Sequence, residues 1–130
     1  MNTKQQVIVL SGELKGESYV KNRIYSNLLE SRLKDLQIVY NKALGSYKSE
    51  KETSFVCLPK NEEEINLLKH IAFNLFNQES VLYQDANGKA YLIYSDDTSV
   101  TLGKLRQVPM SQTENLEAFT ILNDKAYAVV

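Results

Sequence analysis

INLLKHIAFNLFNQESVLYQDANGKAYLIYSDD, residues 65–97, is the stretch that decides the predicted fold class. Its apolar residues first recur at steps of three and four, the period of an amphipathic helix, and this pattern ends at Asn77 and Gln78. Two tyrosine-bearing apolar runs follow, at residues 79–84 and Lys89–Tyr94. Asn87-Gly88 between them supplies the positive φ angles that a tight hairpin needs. The stretch therefore predicts a helix followed by a β-hairpin.

Upstream of this stretch the sequence predicts a buried strand and a longer helix. Val7–Leu10 is a short apolar run ended by Ser11-Gly12, as in a buried strand followed by a turn. Ser18 is a suitable N-cap for a helix over residues 18–36. Three- and four-residue steps place the apolar residues of this helix on one stripe: Val20, Ile24, Leu28, Leu29, Leu33 and Leu36.

The remaining elements are predicted from β-rich runs and a helix start. Residues 38–40 and 53–58 read as neighbouring strands joined by a loop over residues 44–52. Asn61, followed by three glutamates, starts the second helix, which includes Ile65. Beyond residue 97 we predict a strand over residues 100–108, a helical turn over residues 111–115, and a hairpin of residues 119–122 and 126–130.

The order of these elements defines the predicted fold class. Strand, helix, strand, strand, helix, strand is the split βαβ arrangement, in which two helices cover one face of an antiparallel sheet. We therefore expect a single α+β domain over residues 1–130, ferredoxin-like, with the C-terminal hairpin extending one edge. Such an edge could pair across a two-fold axis, so a homodimer is also predicted.

Composition limits the classes of function. The chain has 130 residues, 15 of them basic and 16 acidic, so it lacks the cationic excess that binding nucleic-acid phosphates requires. The single cysteine, Cys57, argues for a reducing compartment, and no apolar run approaches the roughly 20 residues of a membrane span. We expect a cytoplasmic protein with no membrane or nucleic-acid partner and no cofactor.

Several spaced pieces of the chain resemble a family of small uncharacterised bacterial and phage proteins, a domain of unknown function. The pieces are a strand ending in Ser11, then Asn22, Leu28 and Leu29; Leu44-Gly45-Ser46-Tyr47 followed by Glu52-Thr53-Ser54-Phe55-Val56; Ile71-Ala72 with Phe76-Asn77-Gln78-Glu79-Ser80-Val81-Leu82-Tyr83; and Leu102-Gly103-Lys104 before Ala118-Phe119-Thr120. The bacterial members carry Asn-Pro after the first strand, where this chain has Gly12-Glu13. The resemblance implies a fold, a microbial or phage origin and polar positions to test, but no activity.

Five polar residues form the predicted ligand site. The loop from Ser11 to Ser18 leads into a helix N-terminus, where free N–H groups can hold an anion, although its two glutamates oppose one. Glu52 lies near Tyr47 if the chain between them folds back, and Gln78 ends the second helix. Together with Asn22 they could bind a polar ligand, and Glu52 could act as a general base. The alternative is that Gln78 only caps helix carbonyls and Glu52 lies in solvent.

Other chemistry is weakly supported by the sequence. Cys57 lies in an apolar strand and His70 in a helix, and nothing places them together as a nucleophilic pair. One cysteine and one histidine are too few for an ordinary zinc site, so no metal site is predicted. Residues 51–58 match the central strand of single-strand RNA readers only at Lys51, Phe55 and Val56.

Two functional hypotheses follow. The first is a non-enzymatic binding protein, a phage or microbial accessory factor that modulates a host or its defences by contacting a host protein or sequestering a small ligand. Its binding loops would be those beside Ser11, Tyr47 and Gln78. The alternative is a small enzyme acting on a nucleotide or nucleic acid, in which Glu52 is the base and the other polar residues position the substrate.

Overall fold

The computed structural model describes residues 5–47, 50–116 and 118–129. Within them, eight strands form: β1 Val7–Leu10, β2 Tyr40–Tyr47, β3 Glu50–Cys57, β4 Ser80–Gln84, β5 Lys89–Tyr94, β6 Ser99–Val108, β7 Ala118–Leu122 and β8 Lys125–Val129. The helices are α1 Tyr19–Asp35 and α2 Glu62–His70. A π-helical segment, Ile71–Leu75, continues α2, and a 3₁₀ helix, Met110–Asn115, precedes β7.

The strands close into an antiparallel barrel in the order β1-β3-β2-β7-β8-β6-β5-β4. β1 lies between β3 and β4, with Ile8 opposite both Cys57 and Tyr83. Closure is completed by the last hairpin, because β7 pairs with β2 and β8 pairs with β6. Each strand therefore has a partner on both sides.

The predicted ferredoxin-like open sheet is wrong. That prediction added the later strands to one edge of an open sheet, whereas β7 pairs with β2 and β8 pairs with β6, which joins the two edges. A closed barrel has no exposed edges to pair with another chain. The edge-strand argument for a homodimer is thereby lost, and dimerisation stays a prediction.

Alternating residues on the strands build two large cores and a small third cluster of Val108, Ala126 and Ala128. Ile8 and Phe55 point outward and pack beneath α1 and α2 with Leu29 and Leu68 of those helices. The opposite faces of the same strands fill the barrel, and this interior core consists of Val7, Ala43, Val56, Ala90, Leu105, Leu122 and Tyr127. Both helices thus lie on the outside of the barrel, over β1 and β3.

The predicted helix starts are confirmed. The Ser18 hydroxyl accepts the Lys21 N–H at the start of α1, and the Asn61 amide oxygen accepts the Glu64 N–H at the start of α2. The single apolar stripe predicted for α1 is wrong, because Leu29 and Leu33 are buried whereas Val20, Ile24 and Leu28 are exposed. No helix in the described ranges has the length and apolar character needed to cross a membrane.

The hairpins depend on short turns with positive φ. The β4–β5 connection covers residues 85–88, as predicted. Gly88 has a positive φ there, whereas Asn87, for which one was also expected, does not. Between β7 and β8 both Asn123 and Asp124 have one, as a two-residue hairpin requires. The predicted loop at residues 44–52 is wrong: most of it belongs to β2 and β3.

Candidate functional site

The loop between β1 and α1, residues 11–18, is the point where most of the predicted polar residues meet. Ser11 continues β1, is 7% exposed, and donates its hydroxyl to the Thr53 carbonyl of β3 at 3.2 Å. The same hydroxyl oxygen accepts the Glu13 N–H at 3.1 Å. The loop is thereby held against β3 at its first turn.

Glu13 links the loop to both α1 and β3. Its Oε2 atom accepts the Ser26 hydroxyl at 2.8 Å and the Thr53 N–H at 3.0 Å. Ser26 is 6% exposed and lies on the buried side of α1. From the sequence, the Glu13 carboxylate was expected only to oppose anion binding through its charge. In the structure it also holds the loop against α1 and β3.

Asn22 and Gln78 hold the loop from its other side. The Asn22 amide accepts the Leu14 N–H at 2.9 Å and donates to the Leu14 carbonyl at 3.1 Å. The Gln78 amide nitrogen donates to the Glu13 carbonyl at 2.9 Å and to the Phe76 carbonyl at 3.2 Å. Both amide groups are hydrogen-bonded to backbone atoms, and these bonds hold the loop in position.

Glu52 lies on the neighbouring strand, one residue before Thr53. It is exposed and pairs with Gly45 of β2, where an added Cβ would lie 3.6 Å from the Glu52 Cγ and 2.9 Å from the Ser54 Oγ. From the sequence, Glu52 was expected near Tyr47 on condition that the chain folds back between them. β2 and β3 meet this condition because they pair in antiparallel fashion, with Tyr47 opposite Glu50. The Tyr47 side chain lies outside the part of the structure that is described.

A groove of about 330 Å³ opens beside the same loop. Its walls come from the loop, from α1 and from the end of the π-helical segment: Gly12, Leu14, Tyr25, Leu28, Arg32, Leu75, Phe76 and Asn77. Gly12 is essential to this junction, because a Cβ there would lie 2.9 Å from the Tyr25 carbonyl oxygen and 3.2 Å from Phe76 Cδ1. We call this feature the loop groove.

The chemistry of the loop groove is mixed in a way that suits an organic ligand. Tyr25, Leu28 and Phe76 offer apolar and aromatic surface, Arg32 adds a permanent cation, and Asn77 adds an amide. Asn77 has a φ of 52°, so the backbone turns sharply where the groove ends. An aromatic group with a carboxylate attached would match these surfaces.

The titratable groups with displaced pKa values lie outside the loop groove. Burial, and then the hydrogen bond to Glu30, raise the pKa of Tyr40 to about 12, while the Tyr40 hydroxyl helps to lower the pKa of the Glu30 carboxyl. Burial raises the pKa of the Cys57 thiol to about 12, so this thiol is protonated and inert at neutral pH. His70 is exposed, and its Nδ1 atom is hydrogen-bonded to the Asn74 amide nitrogen at 2.7 Å. No cluster of three potential metal ligands is present in the described ranges.

Three of the five predicted site residues, Ser11, Asn22 and Gln78, meet at the β1–α1 loop. Glu52 adjoins the strand residue that binds this loop. Sequence reasoning missed Glu13, Ser26 and the loop groove. A glutamate directly after a buried strand was the available signal for Glu13, but its partners come from α1 and β3, which only the fold brings together.

The barrel thus carries an organised loop beside a groove that has room for a small organic ligand. The chain belongs to the S-adenosylmethionine lyase family, whose family model matches residues 8–130. No curated protein matches the chain in a sequence search.

This membership overturns two expectations. The family is a named family of enzymes, not a domain of unknown function, and it contradicts the hypothesis of a non-enzymatic binding protein. It favours the alternative of a small enzyme, for which the sequence suggested a nucleotide or nucleic acid as the substrate. The expected cytoplasmic location and host or ligand partners stay predictions.

Proposed function

We propose that this protein is an S-adenosylmethionine lyase whose substrate binds at the β1–α1 loop. The observation that carries the proposal is the family match, because it spans both the loop and the strands around it, from residue 8 to residue 130. The loop groove supports it with a suitable size, since small-molecule sites usually occupy roughly 300–1,000 Å³.

The substrate offers three kinds of group to the protein. Its adenine is a flat aromatic ring that can lie against Tyr25 and Phe76 in the loop groove. Its methionyl carboxylate matches the guanidinium of Arg32, which can bind such a group with two hydrogen bonds. Its ammonium and sulfonium groups are cations, for which the carboxylates of Glu13 and Glu52 provide counter-charges.

A lyase breaks the carbon–sulfur bond without adding water, so the bonding electrons pass to sulfur. The methionyl chain supplies two routes. In one, its carboxylate attacks the γ carbon and closes a lactone as neutral 5′-methylthioadenosine leaves. In the other, a base takes a β proton, the carbon–hydrogen electrons form a double bond, and the same thioether leaves. Holding the chain in one conformation can supply much of the rate enhancement in the first route.

Glu52 has a different role in each route. In the elimination it is the general base, as the sequence hypothesis has it. In the ring closure no external base is needed, and Glu52 would hold the substrate ammonium group. The four-carbon product distinguishes the two roles, because it is a lactone in one route and an unsaturated amino acid in the other.

The roles of the loop groove and of Glu52 can be tested separately by steady-state kinetics with S-adenosylmethionine. Leu75 is 46% exposed, so Leu75→Asn should leave the fold intact and raise KM by about tenfold through lost apolar contact. Glu52→Gln should lower kcat by about 100-fold if the carboxylate takes a proton. Met110→Asn and Lys51→Gln are the matched controls, since both residues are exposed and neither lines the groove.

The pattern of effects locates the site. A raised KM for Leu75→Asn together with a reduced kcat for Glu52→Gln supports one site that spans the loop. An unchanged KM for Leu75→Asn would place the substrate on the Glu52 side of the loop, away from the groove. No turnover by the wild-type protein would overturn the proposed function itself.

A further inference from the structure

A second pocket lies between α2, the π-helical segment and the turn that joins β5 to β6. It has a volume of about 260 Å³, and its lining residues differ from those of the loop groove. Five of them follow one another at steps of three and four, on one side of the helical segments: Asn66, Lys69, His70, Phe73 and Asn74. The turn supplies Ser95 and Asp97. We call this feature the α2 pocket.

The turn that closes the α2 pocket is held by backbone hydrogen bonds. The Tyr94 N–H donates to the Thr98 carbonyl at 2.8 Å, and the Asp97 N–H donates to the Tyr94 carbonyl at 2.9 Å. The Ser95 N–H donates to the Glu79 carbonyl, just before β4, at 3.0 Å. The wall that carries Ser95 and Asp97 is therefore formed before any ligand binds.

The α2 pocket contains one charge of each sign. The Lys69 ammonium lies 3.8 Å from the Asp97 carboxylate, and the two side chains are 24% and 84% exposed. Such a long pair with one exposed partner contributes little to stability, so a ligand can replace it at small cost. A purely anionic ligand would be repelled by Asp97, and a purely cationic one by Lys69. A ligand that carries both charges can pair with both residues.

The uncharged walls favour a ligand with a short stem and a polar end. An amide nitrogen can only donate, so the Asn74 amide donates to His70 Nδ1 at 2.7 Å and the ring proton of His70 is on Nε2. The Asn66 amide offers both a donor and an acceptor. Phe73 adds an aromatic surface against which methylene groups can pack.

We propose that the α2 pocket binds a free α-amino acid with a polar side chain. Its carboxylate pairs with Lys69 and its ammonium group with Asp97, because these two ligand groups share one carbon atom and the two residues are close together. The volume of the pocket suits this size of ligand, since it lies just below the roughly 300–1,000 Å³ of sites for larger ligands.

The first test is a titration of the ¹⁵N-labelled protein with L-glutamine up to about 10 mM, monitored by NMR. L-Glutamine combines the zwitterion with an amide end. We expect the signals of Lys69, His70 and Ser95 to shift. Glutaramate lacks the ammonium group and 4-aminobutanamide lacks the carboxylate, so each should bind at least about tenfold more weakly. No shift with L-glutamine, or equal binding of the three compounds, would overturn the proposal.

The second test removes each charge of the pocket in turn. Lys69→Met retains the apolar stem, and Asp97→Asn retains a residue that tolerates the φ of 68° at this position. Each should weaken L-glutamine binding by about tenfold. Lys21→Met is the matched control, because Lys21 forms a similar ion pair with Glu17, at 3.9 Å, on α1. The NMR spectra verify that the variants are folded, and unchanged affinity in Lys69→Met and Asp97→Asn would contradict the assigned contacts.

S-adenosylmethionine carries the same zwitterion at its methionyl end, so a kinetic test separates a second site from the substrate site. We expect Lys69→Met to leave KM for S-adenosylmethionine unchanged, and L-glutamine not to compete with this substrate. A raised KM, or competition, would assign the α2 pocket to the substrate and overturn a separate amino-acid site. Absence of turnover by the wild-type protein would overturn the proposed function but would leave the L-glutamine titration as a valid test of the pocket.

Discussion

At the scale of single residues, Glu13 connects the β1–α1 loop to the rest of the molecule. Its carboxylate accepts the Ser26 hydroxyl and the Thr53 N–H, and its backbone carbonyl accepts the Gln78 amide. The loop therefore depends on one side chain for its contacts with α1 and β3. A residue that was expected only to repel anions determines the position of the loop.

Replacing Glu13 tests this dependence. Glu13→Ala leaves the Ser26 hydroxyl and the Thr53 N–H without their acceptor, so we expect the free energy of unfolding to fall by about 2 kcal/mol. Glu17→Ala, four residues along the chain and at the exposed end of the loop, should cost less than about 1 kcal/mol. Urea denaturation monitored by circular dichroism measures both. Equal losses for the two variants would contradict the role assigned to Glu13.

The pair of Tyr40 and Glu30 predicts a pH dependence. Burial and the bond to Glu30 raise the pKa of Tyr40 to about 12 in the folded protein, whereas an unfolded tyrosine titrates near pH 10, as a rough reference. The folded state thus holds the Tyr40 proton more tightly than the unfolded state does. The resulting contribution to the free energy of unfolding is complete below the unfolded pKa and is lost as the pH rises through the folded pKa.

Comparing wild-type protein with Tyr40→Phe isolates that contribution. The difference between their free energies of unfolding should be constant from neutral pH to about pH 10 and should shrink above it. The Cys57 pKa is also raised to about 12, but this thiol is common to both proteins and cancels in the difference. Urea denaturation across this pH range provides the measurement. A difference that stays constant up to pH 12 would rule out the raised pKa.

At the scale of elements, the loop, α1 and the π-helical segment meet at Gly12. An added methyl group would lie 2.9 Å from the Tyr25 carbonyl oxygen, which belongs to helix backbone and cannot easily move. Gly12→Ala should therefore destabilise the protein by about 1–3 kcal/mol, the usual range for overpacking, and distort the loop groove. In Gly16→Ala the methyl group meets nothing within 4 Å, so only the strain of the 84° φ is added.

Activity separates these two glycine variants further. We expect Gly12→Ala to raise KM for S-adenosylmethionine and Gly16→Ala to leave it unchanged, when both are assayed well below their unfolding temperatures. A Gly12→Ala enzyme with the KM of the wild type would show that the loop groove does not bind the substrate.

Local patterns were enough to predict many of the elements. The caps at Ser18 and Asn61, strands β1 and β5, and the C-terminal hairpin follow from short-range chemistry, and the structure confirms them. The β2–β3 hairpin was partly misread as a loop, because Gly45 and Ser46 are weak strand formers. They are held in place by pairing with β3 and β7, which no local pattern encodes.

Local sequence patterns also could not predict which side of α1 is buried. Its apolar residues recur at three- and four-residue steps, so they read as one stripe although Leu28 and Leu29 diverge by about 100°. Only the position of the barrel decides which side is buried. Of the candidate site, Ser11, Asn22 and Gln78 could be identified from the sequence, whereas the hydrogen-bond partners of Glu13 and the walls of the loop groove depend on contacts between distant segments.

At the scale of the whole molecule, barrel closure explains why the open-sheet prediction failed. The order of the first helices and strands fits an open split βαβ sheet, but β1 and β3 carry apolar residues on both faces. The helices cover only one of these faces. β5 to β8 curve round to cover the other, and the interior core of Val7, Val56 and Leu105 is the result.

Closure also predicts where the molecule tolerates change. Leu105 is 6% exposed and packs inside the barrel between β5 and β8, so Leu105→Ala should lower the free energy of unfolding by about 2–5 kcal/mol. Leu36 is 40% exposed at the end of α1, so Leu36→Ala should lower the free energy of unfolding by less than about 1 kcal/mol. Thermal denaturation of both variants compares them. A negligible effect at Leu105 would contradict an interior core.

Identification of all products by mass spectrometry decides whether this protein cleaves S-adenosylmethionine without water, as proposed. Purified protein incubated with S-adenosylmethionine should release 5′-methylthioadenosine together with an equal amount of a four-carbon lactone or unsaturated amino acid at the earliest times. Appearance of homoserine with no such precursor would indicate a hydrolase instead. Unchanged S-adenosylmethionine would rule out the proposed lyase activity.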